Sequence, residues 1–105
     1  MNIIDAHTLN DRMVQGEDIF LLDVREEEEW NLCHIPGDVL IPLAQIPTRM
    51  GEIPQDKEIV VYCHSGRRSE RAAMYLEQNG YENISNLRGG VDAWAVLVDP
   101  TMPRY

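Results

Sequence analysis

The stretch EIVVYCHSGRRS, residues 58–69, decides the fold of this chain. Its first half is a continuous apolar run, which is typical of a strand buried on both faces of a parallel sheet. Residues 70–79 follow with apolar positions at helical spacing, and Gly80 is a typical helix stop. The stretch therefore predicts a strand, a short loop and a helix, with Cys63 at the point where the strand ends.

The predicted loop would surround Cys63 with hydrogen-bond donors and positive charge. Consecutive N–H groups of a curled loop can form an anion-binding nest, and the helix N-terminus adds unpaired donors with partial positive charge. Gly66 suits a tight turn, and Arg67 and Arg68 add full positive charges. The pattern predicts a thiol that ionises readily, and the thiolate is the nucleophilic form. The alternative is a structural cysteine that packs in the core as a small apolar residue.

Length, charge and cysteine usage limit the possible classes of protein. The 105 residues suffice for one domain, and a net charge of −9 without a basic stripe argues against a nucleic-acid partner. Two cysteines, Cys33 and Cys63, make no disulfide framework and suit a reducing cytosol. We expect no signal peptide and no membrane span, because the N-terminus lacks a basic region and no apolar run is long enough. The expected location is therefore the cytoplasm.

The rest of the chain alternates between strand and helix patterns. Strands are predicted at 3–4, 19–24, 39–41, 58–62 and 84–87, and helices at 6–15, 70–79 and 91–98, with one or two helical turns within 43–50. Pro100 and Pro103 indicate an extended tail over residues 99–105. The alternation of strands and helices predicts an α/β fold with a parallel sheet.

A carboxylate closes a second apolar strand. Asp23 follows the apolar run 19–22, and Arg25 lies just beyond it. Because the carboxyl ends of parallel strands share one edge of the sheet, Asp23 and Cys63 should lie at the same edge. We expect Asp23 and Arg25 to support the Cys63 loop, with Asp23 paired to an arginine, for which Arg68 is the candidate. The alternative is an ordinary ion pair at a strand end.

Two further clusters of polar residues are interpreted as structural. The four glutamates at 26–29 predict the solvated face of a short helix, since acids are favoured near a helix N-terminus. The pairs Cys33-His34 and Cys63-His64 match no common zinc spacing, and neighbouring residues on extended backbone point to opposite sides. No metal site is predicted.

Four motifs together resemble the rhodanese-type sulfurtransferase domain. They are LLDVREEEEW, HIPG, VVYCHSGRRS and NLRGGVDAW, in this order, and the resemblance runs from about residue 5 to residue 94. It implies one domain over residues 1–105, built as a three-layer sandwich around a mostly parallel five-stranded sheet. It also implies that Cys63 carries sulfur as a persulfide. The residues that match the rest of the family's active-site loop are His64, Ser65, Gly66, Arg67 and Arg68.

The activity that the resemblance implies is sulfur transfer without a metal or an organic cofactor. Cys63 would take sulfane sulfur from thiosulfate or a persulfide donor and pass it to cyanide, a thiol or a sulfur-carrier protein. Two positions depart from the family pattern, which usually has Gly before HIPG and Ala after it, where this chain has Cys33 and Asp38. Cys33 is interpreted as a passive thiol, and the alternative is that it resolves a persulfide or a disulfide. The tail 98–105 resembles tails of rhodanese domains fused to E1-like adenylyltransferases, which serve ubiquitin-like sulfur carriers.

Two other functions remain as alternatives. Cysteine phosphatases and arsenate reductases place an arginine six positions after the cysteine, whereas Ser69 stands there and Arg68 comes one position too early. Tyr62 also stands where many such phosphatases have histidine. The shorter loop favours a sulfur atom over a phosphate. The second alternative is a non-catalytic binding module on the same fold, against which the intact Cys63 argues.

Overall fold

The computed structural model describes all 105 residues and contains a five-stranded parallel sheet. The strands are β1 (Asn2–Ile4), β2 (Ile19–Asp23), β3 (Val39–Leu40), β4 (Glu58–Tyr62) and β5 (Ile84–Leu87), in the spatial order β1-β5-β4-β2-β3. The helices are α1 (Ala6–Val14), α2 (Glu27–Leu32), α3 (Ile46–Arg49), α4 (Arg67–Gln78) and α5 (Gly90–Leu97). Short 3₁₀ turns, Leu43–Gln45 and Met50–Glu52, flank α3. None of the helices has the length and apolar character needed to cross a lipid bilayer.

Helices cover both faces of the sheet, which explains the unbroken apolar runs of its central strands. One core cluster joins Leu21 and Val60 to Leu9 of α1 and Trp94 of α5. The other joins the remaining faces of the same strands to α3 and α4, with Leu76 fully buried in it. The three-layer α/β fold and the parallel sheet predicted from the sequence are thereby confirmed.

The central pairing of β2 with β4 brings two predicted site positions to one edge. The strands pair in parallel from Ile19 opposite Glu58 to Asp23 opposite Tyr62. Asp23 therefore lies beside the residue that precedes Cys63. The Cys63 loop and the segment after β2 consequently emerge together at the carboxyl ends of the strands.

The segment 99–105 packs against the body of the protein. The backbone N–H and the hydroxyl of Thr101 both donate to the carboxylate of Asp99, which makes a turn. Met102 is buried in the same core cluster as Trp94. The side chain of Arg104 pairs with Asp92 at the start of α5. These contacts bring Tyr105 back to the edge of the sheet where the Cys63 loop lies.

Candidate active site

Cys63 lies immediately after β4, beneath a loop whose donors converge on its sulfur. The residue is only 1% exposed. The backbone N–H of Gly66 donates to Sγ at 3.1 Å, and the hydroxyl of Ser69 lies 3.3 Å from the same atom. Burial alone would raise the pKa of the thiol, but the hydrogen bonds from Ser69, Gly66 and Ser65 outweigh it and hold the pKa of Cys63 below its ordinary value. The site thus favours the thiolate.

Ser69 of α4 and Asn86 of β5 hold the loop in place through hydrogen bonds. The Ser69 hydroxyl lies 2.6 Å from Oδ1 of Asn86, and Nδ2 of Asn86 donates to the carbonyl of Gly66 at 3.1 Å. Gly66 has φ +114, a backbone conformation that residues other than glycine rarely adopt. Helix α4 begins at the next residue, Arg67. The helix therefore starts three residues earlier than position 70, where the sequence predicted it. Sequence reasoning did not single out Asn86 as a site residue, although the motif NLRGGVDAW begins with it.

The first turn of α5 supports the loop from the other side. The backbone N–H of Val91 donates to the carbonyl of Cys63 at 2.8 Å, and that of Asp92 donates to the carbonyl of His64 at 3.1 Å. A side chain at Gly90 would overlap both of these carbonyl oxygens. Gly90 is thus required by the close approach of the loop as well as by its positive φ, whereas a side chain at Gly89 would meet Ala93.

Asp23 pairs with an arginine, but the partner is Arg25 and not Arg68, the candidate predicted from the sequence. Asp23 and Arg25 are both fully buried, and Nη2 of Arg25 donates to Oδ2 of Asp23 at 2.8 Å. Arg25 reaches this carboxylate because its own backbone N–H also binds Asp23, which folds the segment tightly around it. The same guanidinium donates to the carbonyl of Cys33 at 2.7 Å. The pair thereby ties the end of β2 to the end of α2.

Arg68 pairs with Glu29 of α2 instead. Its two terminal nitrogens donate to the two carboxylate oxygens of Glu29 at 2.6 and 2.9 Å. The bonds from Arg68, aided by the hydroxyl of Tyr105 and opposed by burial, lower the pKa of Glu29 to about 2. Glu29 is therefore not part of a solvated face, contrary to the sequence interpretation. Nothing in a run of four glutamates distinguishes the one that faces inward.

His64 and Tyr105 form a stacked pair beside the loop. Their ring centroids are 4.2 Å apart and the planes differ by 15°. Nε2 of His64 is buried without a hydrogen-bond partner. The tyrosine is a site residue that sequence reasoning missed, since only the tail's resemblance to other rhodanese domains pointed to this segment.

Three arginines of the chain carry charge without an acidic partner. Arg67, Arg71 and Arg88 have no acidic partner within ion-pair distance, whereas the other six basic side chains are each paired: Arg12, Arg25, Arg49, Lys57, Arg68 and Arg104. Arg67 and Arg88 line an open pocket of about 320 Å³ together with Ser65 and Gly66 of the loop. In a chain of net charge −9, two of the three unpaired positive charges thus lie beside the Cys63 loop.

The two departures from the family pattern have structural roles. Cys33 is a free, buried thiol at the end of α2, and its carbonyl accepts the bond from Arg25. Asp38 accepts hydrogen bonds from the hydroxyl of Tyr62 and from Nε1 of Trp30. Burial raises the pKa of Asp38, although these two bonds oppose the effect. The aspartate therefore fixes the tyrosine that precedes Cys63.

The hydrogen bonds around Cys63 predict alkylation that stays fast below the pH at which a free thiol slows down. Because the pKa of the thiol is lowered, the reactive thiolate should remain populated below the free-thiol value of about 8.5. Rates with iodoacetamide, measured against pH on the Cys33→Ser background, should give a midpoint below that value. A midpoint at or above it would remove the electrostatic argument for the site.

Fold and loop together define a class of protein: a three-layer α/β domain with a hydrogen-bonded cysteine at the carboxyl end of its central parallel strand. A family model described as "Rhodanese-like domain" matches residues 5–97. The chain belongs to this family, which confirms the resemblance of its sequence motifs.

Similar proteins agree with this assignment. A protein from Allochromatium vinosum named "Sulfurtransferase" is 45% identical over 95 residues, covering 90% of this chain and 89% of that protein. A probable adenylyltransferase/sulfurtransferase from Mycobacterium tuberculosis is 36% identical and covers 97% of this chain, which spans 26% of that protein. The crystal structure of a rhodanese-like domain protein from Staphylococcus aureus superimposes with a TM-score of 0.84 at 31% identity, covering 90% of this chain and 91% of that one.

Proposed function

We propose that this protein is a sulfurtransferase that moves sulfane sulfur from thiosulfate or a persulfide donor, through a persulfide on Cys63, to a thiophilic acceptor. Relatives named as sulfurtransferases support sulfur transfer as the general activity. The observation that carries the proposal is the convergence of loop donors on the buried Cys63 sulfur. No metal or organic cofactor takes part.

The first step transfers one sulfur atom to the cysteine. The Cys63 thiolate attacks the outer sulfur of thiosulfate, a new S–S bond forms, and the S–S bond of the donor breaks. The electron pair of that bond leaves with sulfite, so no outside oxidant or reductant is needed. The N–H groups that hold the thiolate also stabilise the anionic persulfide that replaces it.

The second step returns the cysteine to its starting state. A nucleophile such as cyanide, a thiol or a sulfur-carrier protein attacks the terminal sulfur, and the Cys63 thiolate leaves. A carrier protein is a reasonable acceptor because relatives include a putative sulfur carrier protein from Bacillus subtilis. Both cysteines of the chain are free thiols, which fits a reducing compartment such as the cytoplasm.

The pairing of Arg68 argues against the phosphatase alternative. A phosphatase loop needs a guanidinium that is free to bind the transferred phosphate. Both terminal nitrogens of Arg68 are engaged by Glu29, and the next position along α4 is the buried Ser69. The arginine that is free beside the loop is Arg67, which lies two positions before the place where a phosphatase has its arginine.

Steady-state assays test the proposed function against both alternatives. Thiosulfate with cyanide should give thiocyanate in catalytic amounts, whereas an aryl phosphate should not be hydrolysed. A binding module would turn over neither substrate. Hydrolysis of the aryl phosphate without thiocyanate formation would contradict the proposal in favour of a phosphatase.

The two arginines beside the loop should have different roles: Arg67 should contribute to substrate binding and Arg68 to the catalytic rate. Arg67→Ala removes an exposed, unpaired charge, so KM for thiosulfate should rise about fivefold, less at high salt and less with an uncharged donor. Arg68→Ala leaves the partly buried Glu29 without its main partner, so kcat should fall with every donor and the melting temperature should drop.

Arg49→Ala provides the matched control for charge loss, because Arg49 is exposed and pairs with Glu52 away from the loop. It should leave KM and kcat unchanged. Equal, donor-independent losses in the Arg67 and Arg68 variants, without a lower melting temperature for the latter, would contradict the division of roles.

A further inference from the structure

We propose that Tyr105 is a positioning residue for the Cys63 loop, which it holds through its hydroxyl on Glu29 and its ring on His64. The inference rests on the proposed function, since it concerns the same cysteine. Tyr105 is 76 positions from Glu29 along the chain, yet its hydroxyl donates to Oε2 of Glu29 at 2.6 Å. The tail thus supplies a part of the site that the loop itself does not contain.

The hydroxyl of Tyr105 connects two ion pairs that would otherwise be separate. Nη1 of the buried Arg25 donates to this oxygen at 2.9 Å, while the hydroxyl donates to Glu29. Glu29 in turn accepts both bonds from Arg68, the second residue of α4. A continuous path of charge-assisted bonds therefore runs from the rigid end of β2 to the start of the helix that follows the Cys63 loop.

The environment of Tyr105 keeps its hydroxyl in the donating form. Burial, together with the bond to Glu29, raises the pKa of Tyr105 to about 12, although Arg25 opposes the shift. The proton therefore stays on the phenol throughout the neutral range. The carboxylate of Glu29 therefore keeps the bond from Tyr105 in addition to the two from Arg68 and the one from the backbone N–H of Glu26, and Arg68 keeps a fixed acceptor.

The ring of Tyr105 acts on the loop residue next to the cysteine. It stacks on the imidazole of His64, whose Nε2 has no hydrogen-bond partner. Stacking is thus a direct restraint on that face of the imidazole. The backbone carbonyl of His64 is held separately by the N–H of Asp92, so the side chain and the main chain of this loop residue have different anchors.

The tail is tied down closely enough to exert this effect. Met102 is buried, and the Arg104 guanidinium donates to both carboxylate oxygens of Asp92 at 2.8 and 3.1 Å. Asp92 is the residue whose N–H holds the His64 carbonyl. Asp92, in the first turn of α5, therefore binds both the tail, through Arg104, and the loop, through the carbonyl of His64.

Removal of the Tyr105 contacts should loosen the loop around the sulfur. Tyr105→Phe keeps an aromatic ring for the His64 stack and loses both hydroxyl bonds, whereas Tyr105→Ala loses the ring as well. As the loop N–H groups move away from Sγ, the pH midpoint of Cys63 alkylation should rise towards the free-thiol value. We expect kcat to fall about tenfold for Tyr105→Phe and further for Tyr105→Ala, with KM within about twofold of wild type.

Tyr81→Phe is the matched control for a general loss of stability. The hydroxyl of Tyr81 donates to the carbonyls of Met50 and Ile53, at the opposite end of α4 from Cys63. Its loss should lower the melting temperature without changing kcat or the alkylation midpoint. A structural role of Tyr105 alone would make its variants behave in the same way.

The alkylation midpoint decides the proposal, because it can be measured without any turnover. A raised midpoint in Tyr105→Phe with an unchanged one in Tyr81→Phe supports the positioning role. Equal midpoints in wild type and Tyr105→Phe, or the same shift in both phenylalanine variants, would overturn it. If the wild-type protein transfers no sulfur, the proposed function fails while these midpoints still answer the question about Tyr105.

Discussion

Cys63→Ser should lose sulfur transfer by a factor of roughly a thousand or more, because a serine hydroxyl neither ionises at neutral pH nor attacks sulfane sulfur efficiently. The melting temperature should stay close to that of the wild type. The substituted atom is similar in size, and the Gly66 N–H and the Ser69 hydroxyl can still bond to an oxygen. Steady-state thiocyanate formation and a thermal scan measure the two effects.

Cys33→Ser is the matched control for this substitution. Cys33 is also a buried free thiol, but its sulfur lies outside the loop and only its backbone carbonyl bonds to Arg25. This variant should retain most of the activity. An inactive Cys33→Ser together with an active Cys63→Ser would show that the nucleophile has been assigned to the wrong cysteine.

Asp23→Ala should cause the largest loss of stability, about 3–5 kcal/mol in the free energy of unfolding. The substitution leaves Arg25 fully buried without its carboxylate, with only neutral acceptors such as the Cys33 carbonyl. For a chain of this size, the loss corresponds to a drop in melting temperature of at least about 12 °C. Urea unfolding followed by circular dichroism measures it directly.

An exposed pair supplies the comparison for this prediction. Glu52→Ala breaks the ion pair with Arg49, in which both side chains reach solvent. It should change the unfolding midpoint very little. Equal midpoints for Asp23→Ala and Glu52→Ala would mean that the buried pair contributes nothing beyond a surface contact, and the account of how the site is supported would fail.

Much of the fold is encoded locally and was therefore predictable. The runs 19–22 and 58–62 are apolar at every position except Glu58. Such unbroken apolar runs identify strands that are covered on both faces. Once those strands are parallel, the ends at Asp23 and Cys63 must share an edge. The position of the cysteine followed from this alone.

The partners of the charged side chains were not predictable in the same way. The sequence offers both Arg25 and Arg68 as partners for Asp23. The tight turn in which the backbone N–H of Arg25 binds the Asp23 carboxylate selects Arg25. Glu29 differs from its neighbours in the run of glutamates only through its position on α2 relative to α4. Such choices depend on the relative placement of elements, which the pattern of apolar residues does not specify.

The contribution of Tyr105 lay furthest from any local signal. The prolines of the tail predicted extended backbone, and nothing in residues 99–105 indicates which side of the sheet they reach. The burial of Met102 and the pairing of Arg104 with Asp92 settle that question in the structure. A tail residue can thus contact the loop although His64 and Tyr105 lie 41 positions apart in the chain.

The central claim, a persulfide on Cys63, is tested most directly by the mass of the protein after treatment with thiosulfate. Intact-mass measurement of the desalted wild-type protein should show the addition of one sulfur atom, which peptide analysis places on Cys63 and which cyanide removes. Cys63→Ser should show no addition, and Cys33→Ser should show the same addition as the wild type. A folded wild-type protein that gains no sulfur, or gains it on Cys33, would contradict the account.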